Sequence, residues 1–182
     1  MPKYIALLRG VNVGGKNKIP MPELKAAFLR HGFHNVITYI NSGNIIFDCE
    51  LMPQETKAVC ERIIEECFGL RITAGLILAA ELADALEHAP DWWNGDKDAK
   101  HNAIFIIPPM TAEKTVAAVG ETKPEYERVA WYGNVIFWSA PLATFSRTRW
   151  SKVTDNKAVY QLITIRNANT VQKLAALTKA TI

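Results

Sequence analysis

Gly43-Asn44-Ile45-Ile46-Phe47 and Gly133-Asn134-Val135-Ile136-Phe137 repeat one pattern ninety residues apart. Each opens on a Gly-Asn turn and continues as the kind of aliphatic and aromatic run that forms a strand. Helix starts precede the two runs at nearly the same offset, at Pro22 and at Thr111. The repetition reads as an internal duplication of one supersecondary unit.

Ahead of the first run, Lys3–Arg9 is a buried strand bounded by Gly10. A helix opens at Pro22, presents Leu24, Ala27 and Phe28, and is capped by Gly32. Val36–Ile40 and Ile45–Asp48 are strands joined by the turn Asn41-Ser42-Gly43-Asn44. From Pro53 a second helix carries the stripe Val59, Cys60, Ile63, Ile64 and Cys67 and stops at Gly69. A strand over Leu70–Leu78 and a short helix over Ala80–His88 follow. This βαββαβ order is that of a ferredoxin-like unit. In the second half, strands are predicted at His101–Ile107, Tyr126–Tyr132 and Asn134–Ser139, with a helix over Thr111–Val119. The rest, Pro141–Ile182, reads as mainly helical, its last helix capped by Asn167 or Asn169. The fold class expected is therefore α+β. Two duplicated ferredoxin-like subdomains, residues 1–90 and 101–182, flank a linker at 91–100, and the C-terminal segment is helical.

The bulk properties narrow the setting. The chain has 182 residues, and no apolar run approaches the length of a membrane helix. The N-terminus resembles no signal peptide, so a cytoplasmic location and no membrane partner are expected. Cys49, Cys60 and Cys67 form no CxxC pair, and buried free thiols are expected. His31 and His34 straddle Gly32 at a helix end and lack metal-ligand spacing, so neither metal nor cofactor is expected. The net charge of +3 is unevenly spread, at +5 over residues 1–47, −8 over 48–98 and +6 over 99–182. Such asymmetry marks an anionic partner or charges that neutralise one another within the fold.

The duplication also supplies a control. Strand and helix are joined by about four residues in the second half, Pro108–Thr111, and by about twelve in the first, Gly10–Met21. The longer loop contains Gly10-Val11-Asn12-Val13-Gly14-Gly15-Lys16, the front of a P-loop, but Asn17 stands where a magnesium-binding hydroxyl belongs. Lys18-Ile19-Pro20-Met21 also separates the lysine from the helix, and an antiparallel sheet is not a nucleotide-triphosphatase sheet. The glycines and lysines still suit an anion. In a βαββαβ unit the first two strands run the same way, so this loop and the 41–44 hairpin emerge together. The predicted ligand site is Arg9, Asn12, Gly14, Gly15, Lys16, Lys18, Asn41, Ser42 and Asn44. Plain turn chemistry with solvated lysines is the alternative.

A second basic region, Arg147, Arg149, Trp150 and Lys152, suits a phosphate backbone with a stacked base, or else a packed tryptophan ringed by solvated arginines. Arg166 and Asn167, at a helix start, suit an anion or serve the cap alone. Trp92-Trp93 reads as a hinge anchor, and no Ser/His/Asp or Cys/His triad stands out.

Three motifs together resemble one bacterial family: Tyr4–Ile19, Tyr39-Ile40-Asn41-Ser42-Gly43-Asn44 and Thr164–Val171. It is the domain of unknown function numbered sixteen ninety-seven. The resemblance covers nearly the whole chain and implies two ferredoxin-like subdomains. It implies no activity, and no catalytic residue. The function expected is binding of a phosphate-bearing small molecule or nucleic acid. The alternatives are an enzyme acting on a phosphorylated small molecule and a protein-interaction or dimerisation module.

Overall fold

The computed structural model describes residues 1–180. The chain divides into two compact units. One holds residues 1–82 and the described residues from 174 on, and the other holds residues 83–173.

The first unit contains β1 (Lys3–Leu8), α1 (Met21–Arg30), β2 (His34–Tyr39), β3 (Asn44–Asp48), α2 (Pro53–Phe68) and β4 (Ala74–Leu78). Its sheet is antiparallel throughout, in the order β2-β3-β1-β4. The apolar run Tyr4–Leu8 is a strand buried on both faces. Tyr4, Ala6 and Leu8 share one core with Ile45 and Phe47 of β3, Leu24 and Phe28 of α1, and Ile63 of α2. Ile5, Leu7 and Ile46 alternate with these and are equally buried. Two expectations need correction. β4 starts at Ala74, not Leu70, because its register with β1 ends at the pair Leu8 and Ala74, which leaves residues 70–73 no strand to join. Cys49 and Cys60 are buried, but Cys67 is exposed, since the half-buried Phe68 takes the core side of the last turn of α2.

After α3 (Ala79–Glu87), the second unit contains β5 (Ala99–Ile106), α4 (Ala112–Val119), β6 (Arg128–Tyr132), β7 (Val135–Pro141), α5 (Lys157–Tyr160) and β8 (Ile163–Asn167). α6 (Ala168–Lys179) follows β8. The order is β6-β7-β5-β8, again antiparallel, so β8 stands where β4 stands in the first sheet. The sequence reading treats this region as helical. Ile163-Thr164-Ile165 is instead a β-branched run that pairs with β5, with Ile165 opposite Ile104. The sheet of the second half is thus completed by β8. Two 3-10 turns, Leu142–Arg147 and Trp150–Asp155, and the short α5 occupy the interval that α2 occupies in the first half. Asn167 caps α6, its Oδ1 accepting the Thr170 amide at 2.8 Å. Among the described residues, no helix is long and apolar enough to cross a membrane.

β1 and β2 are both antiparallel to β3, so their C-terminal ends lie at the same end of the sheet. There the β1–α1 loop meets the β2–β3 hairpin. The Leu8 amide donates to the Gly43 carbonyl at 2.8 Å, and Asn12 Nδ2 donates to the Asn41 carbonyl at 2.8 Å. Gly43 has a φ of +79°, and a Cβ built on it would stand 2.5 Å from Val11 Cγ2 and 2.8 Å from Leu8 Cβ. Gly43→Ala combines a left-handed penalty with overpacking, and its expected loss of stability is about 2–4 kcal/mol. Urea unfolding measures it; a loss under about 0.5 kcal/mol, the range of an ordinary surface substitution, would mean the loop does not press on the hairpin.

Candidate functional site

The Gly10–Pro20 loop is a miniature hairpin. Val13 and Lys16 form an antiparallel bridge, with the Lys16 amide donating to the Val13 carbonyl at 3.0 Å and the Asn12 amide to the Asn17 carbonyl at 3.0 Å. Gly14 and Gly15 form its tip with φ of +58° and +74°, the two positive angles of a type I′ turn. The GxxxxGK spacing therefore serves a β-turn. Its lysine amide is spent on Val13, and α1 begins only at Met21.

Asn12 staples the structure. Its Nδ2 donates to the carbonyls of Ile19 (2.9 Å) and Asn41 (2.8 Å), and its Oδ1 accepts the Ile19 amide at 2.8 Å. Val11 and Ile19 bury the feet of the loop in the core. The tip has the opposite character. Gly14, Gly15, Lys16, Lys18 and Asn41 are exposed. Among the described residues, the Gly14, Gly15 and Lys18 amides donate to no protein group, and neither Lys16 nor Lys18 has an acidic partner. Asn12, Gly15, Lys18, Ile19, Pro20 and Asn41 line a shallow depression of about 360 Å³.

The nine predicted ligand residues thus divide by task. Gly14, Gly15, Lys16, Lys18 and Asn41 face solvent together. Arg9 and Ser42 are half-buried beside them. Asn12 has committed both Nδ2 hydrogens to the protein. Asn44 is fully buried and closes the hairpin, donating to the Tyr39 carbonyl and to Ser42 Oγ at 3.0 Å each, so it is out of reach of a ligand. Two exposed apolar side chains flank this group, Val13 at 62 % and Ile40 at 47 % exposure. Ile40 has a φ of +48°, which a β-branched residue adopts only under strain of about 1–3 kcal/mol.

The second basic region lies in the second unit. Trp150 is fully enclosed beside Trp138, with ring centres 6.5 Å apart, so it has no face for a base, and the packed alternative holds. Arg147, Arg149 and Lys152 are exposed, and Arg149, Lys152, Asn156 and Lys157 line a groove of about 640 Å³. Arg166 is buried, and its Nη1 donates to Thr164 Oγ1 and the Ile165 carbonyl at 2.9 Å each. Burial pushes its pKa down to about 10, so it remains charged at neutral pH. Asn167 is engaged as the α6 cap. Among the described residues, no three His, Cys, Asp or Glu side chains converge as metal ligands would.

Sequence reasoning missed Glu127, which holds this region in place. The side chain is buried; Oε1 accepts the amides of Arg149 (2.8 Å) and Lys123 (3.1 Å), and Oε2 accepts the amide of Trp150 (3.2 Å). Nothing in Pro124-Glu125-Tyr126-Glu127-Arg128 marks the second carboxylate as internal and the first as external. Glu127→Gln replaces one acceptor with a donor facing an amide. A loss of about 2–4 kcal/mol is expected, with a red-shifted tryptophan emission as Trp150 loosens. Unchanged urea unfolding would remove Glu127 from this role.

The solved structure of conserved bacterial protein SP0830 from Streptococcus pneumoniae is similar to this chain at 29 % identity and a TM-score of 0.85, with 96 % of this chain and 97 % of that chain covered. No protein with a curated description matches it. The model of a family described as a protein of unknown function, DUF1697, matches residues 1–137, the span that contains the glycine-lysine loop, the hairpin and both Gly-Asn runs. The chain belongs to that DUF1697 family.

Proposed function

We propose that this protein binds a phosphate-bearing ligand, a nucleotide or nucleic acid, at the tip of the Gly10–Pro20 loop and the adjoining Asn41 hairpin. One observation carries the reading: exposed ammonium groups and amides, none with a protein partner among the described residues, stand together on a loop that Asn12 staples to the hairpin. Charge-assisted hydrogen bonds from Lys16 and Lys18, and amide bonds from Gly14 and Gly15, are what a phosphate group takes. Val13 and Ile40 supply apolar surface for the rest of a nucleotide. Twelve residues, 9–20, join β1 to α1, whereas five, 107–111, make the matching connection from β5 to α4. The extra length supports a task beyond connection.

Each βαββαβ unit is read here as ferredoxin-like, and the shared strand order supports a duplication. A bacterial, cytoplasmic setting belongs to the same reading.

The test is fluorescence anisotropy with a labelled nucleoside triphosphate and, separately, a labelled single-stranded oligonucleotide at low salt. Lys16→Ala and Lys18→Ala should each weaken binding about tenfold, the lower end of a charge-assisted bond. Oligonucleotide affinity should fall steeply as salt rises. If both variants bind within threefold of the parent, the loop is not the site. If neither probe binds at micromolar protein, nucleotide and nucleic acid are both excluded as ligand classes.

A further inference from the structure

The second unit contains a Ser-His pair that the sequence does not advertise. His101 on β5 and Ser139 on β7 are register partners 38 residues apart in sequence, and both are buried. His101 Nδ1 lies 2.6 Å from Ser139 Oγ, and Nε2 lies 2.7 Å from the Asp96 carbonyl oxygen. A carbonyl only accepts, so Nε2 carries the hydrogen. In the neutral Nε2–H tautomer Nδ1 is the acceptor, and the Ser139 hydroxyl donates to it. The serine proton is thereby aimed at a base whose far side is fixed by a third group, the arrangement of an activated nucleophile.

The surrounding chain holds this geometry. Trp93 is buried, donates Nε1 to the Asn102 carbonyl at 2.9 Å, and packs edge-on against Phe137 at 5.0 Å. It fastens the 91–98 turn, which carries the Asp96 carbonyl that meets His101 Nε2, to β5. On the other side of Ser139, its register partner on β6 is Arg128. In-register antiparallel residues share a sheet face, so His101, Ser139 and Arg128 form a row across three strands. Arg128 is exposed and has no acidic partner among the described residues. Residues of this row line a cavity of about 410 Å³, together with Trp92 and Tyr126. Its volume suits a small molecule. Of the carboxylates in its wall, Glu127 is occupied by three backbone amides, and an oxygen of Asp96 by the Asp98 amide. Asp91 and Glu125 remain exposed.

We propose that Ser139 and His101 hydrolyse a small carboxylic ester in this cavity, with Arg128 stabilising the negative charge that develops on the carbonyl oxygen. Ser139 Oγ bonds to the carbonyl carbon as its proton passes to His101 Nδ1. The bond to the alcohol oxygen then breaks, and the alcohol leaves with that proton. Water attacks the acyl-serine, gives its proton to Nδ1, and releases the acid as Ser139 recovers its hydrogen. The sum is ester plus water giving acid plus alcohol. The inference stands on the second unit alone and is independent of the anion site.

The experiment treats the intact protein with a fluorophosphonate, which loses fluoride to an activated serine, and maps the adduct by peptide mass spectrometry. A single adduct on Ser139 is expected in the folded protein and none in urea. His101→Gln, checked for folding by its thermal midpoint, should slow labelling about a hundredfold, the scale of a lost general base. Should that variant not fold, the comparison of folded and urea-treated parent decides. The proposal is overturned by no adduct at Ser139, by equal labelling in urea, or by a folded His101→Gln that labels as fast as the parent; a merely structural Ser-His pair gives the first or third result.

Discussion

The insertion of β3 between β1 and β2, antiparallel to both, is the constraint on which the rest depends. It forces β1 and β2 to run the same way, so the chain leaving each strand emerges at one end of the sheet. A loop of twelve residues and a hairpin distant in sequence are thereby brought within one hydrogen bond of each other. β7 does the same between β5 and β6. Even the closing bond recurs, since the Leu8 amide takes the Gly43 carbonyl and the Ile106 amide takes that of Asn134. With the scaffold alike, the difference between the two ends is the inserted hairpin with its glycine tip and lysines.

The first unit spends its polar groups unevenly. Near the sheet they are consumed: Asn12 is bound to Ile19 and Asn41, Asn17 to the Gly10 carbonyl, and Asn44 to Tyr39 and Ser42. At the tip the amides and ammonium groups turn to water. Such a division keeps donors in place without satisfying them, and it lowers the ordering cost a ligand must offset. The strained φ of Ile40 fits this pattern, because the hairpin tolerates an unfavourable backbone in order to close over Asn44. In the second unit a buried carboxylate, Glu127, replaces regular helix bonding as the organiser of the interval that α2 occupies in the first.

Patterns with a short period were legible in the sequence. The apolar run Tyr4–Leu8 and the Leu24, Ala27, Phe28 face report local burial, and strand polarity then follows from the order of elements. The twice-written Gly-Asn run is out of phase by one residue, because Ile45 and Phe47 join the helix-side core of the first sheet, whereas Ile136 and Trp138, not Val135 and Phe137, do so in the second. β8 was hidden because its run is short and stands among residues that read as helical caps. Within the site, exposure of Lys16 and Lys18 follows from their place in a glycine loop. The capture of Asn12 and Asn44 by the backbone does not, because a buried asparagine and a ligand-binding one look alike in sequence. Glu127, and the meeting of His101 with Ser139, depend on pairings between distant strands and turns, which no local period records.

If the unpartnered donors at the loop tip hold an anion, the backbone N–H groups there must respond to one. Amide NMR during titration with inorganic pyrophosphate reports each of them separately. Saturable shifts concentrated at Gly14, Gly15, Lys16, Lys18 and Asn41, with little movement at Arg149, Lys152 and Lys157, are the predicted result. Shifts confined to the second unit, or a weak linear drift spread over all exposed lysines, would mean that the loop tip holds no anion.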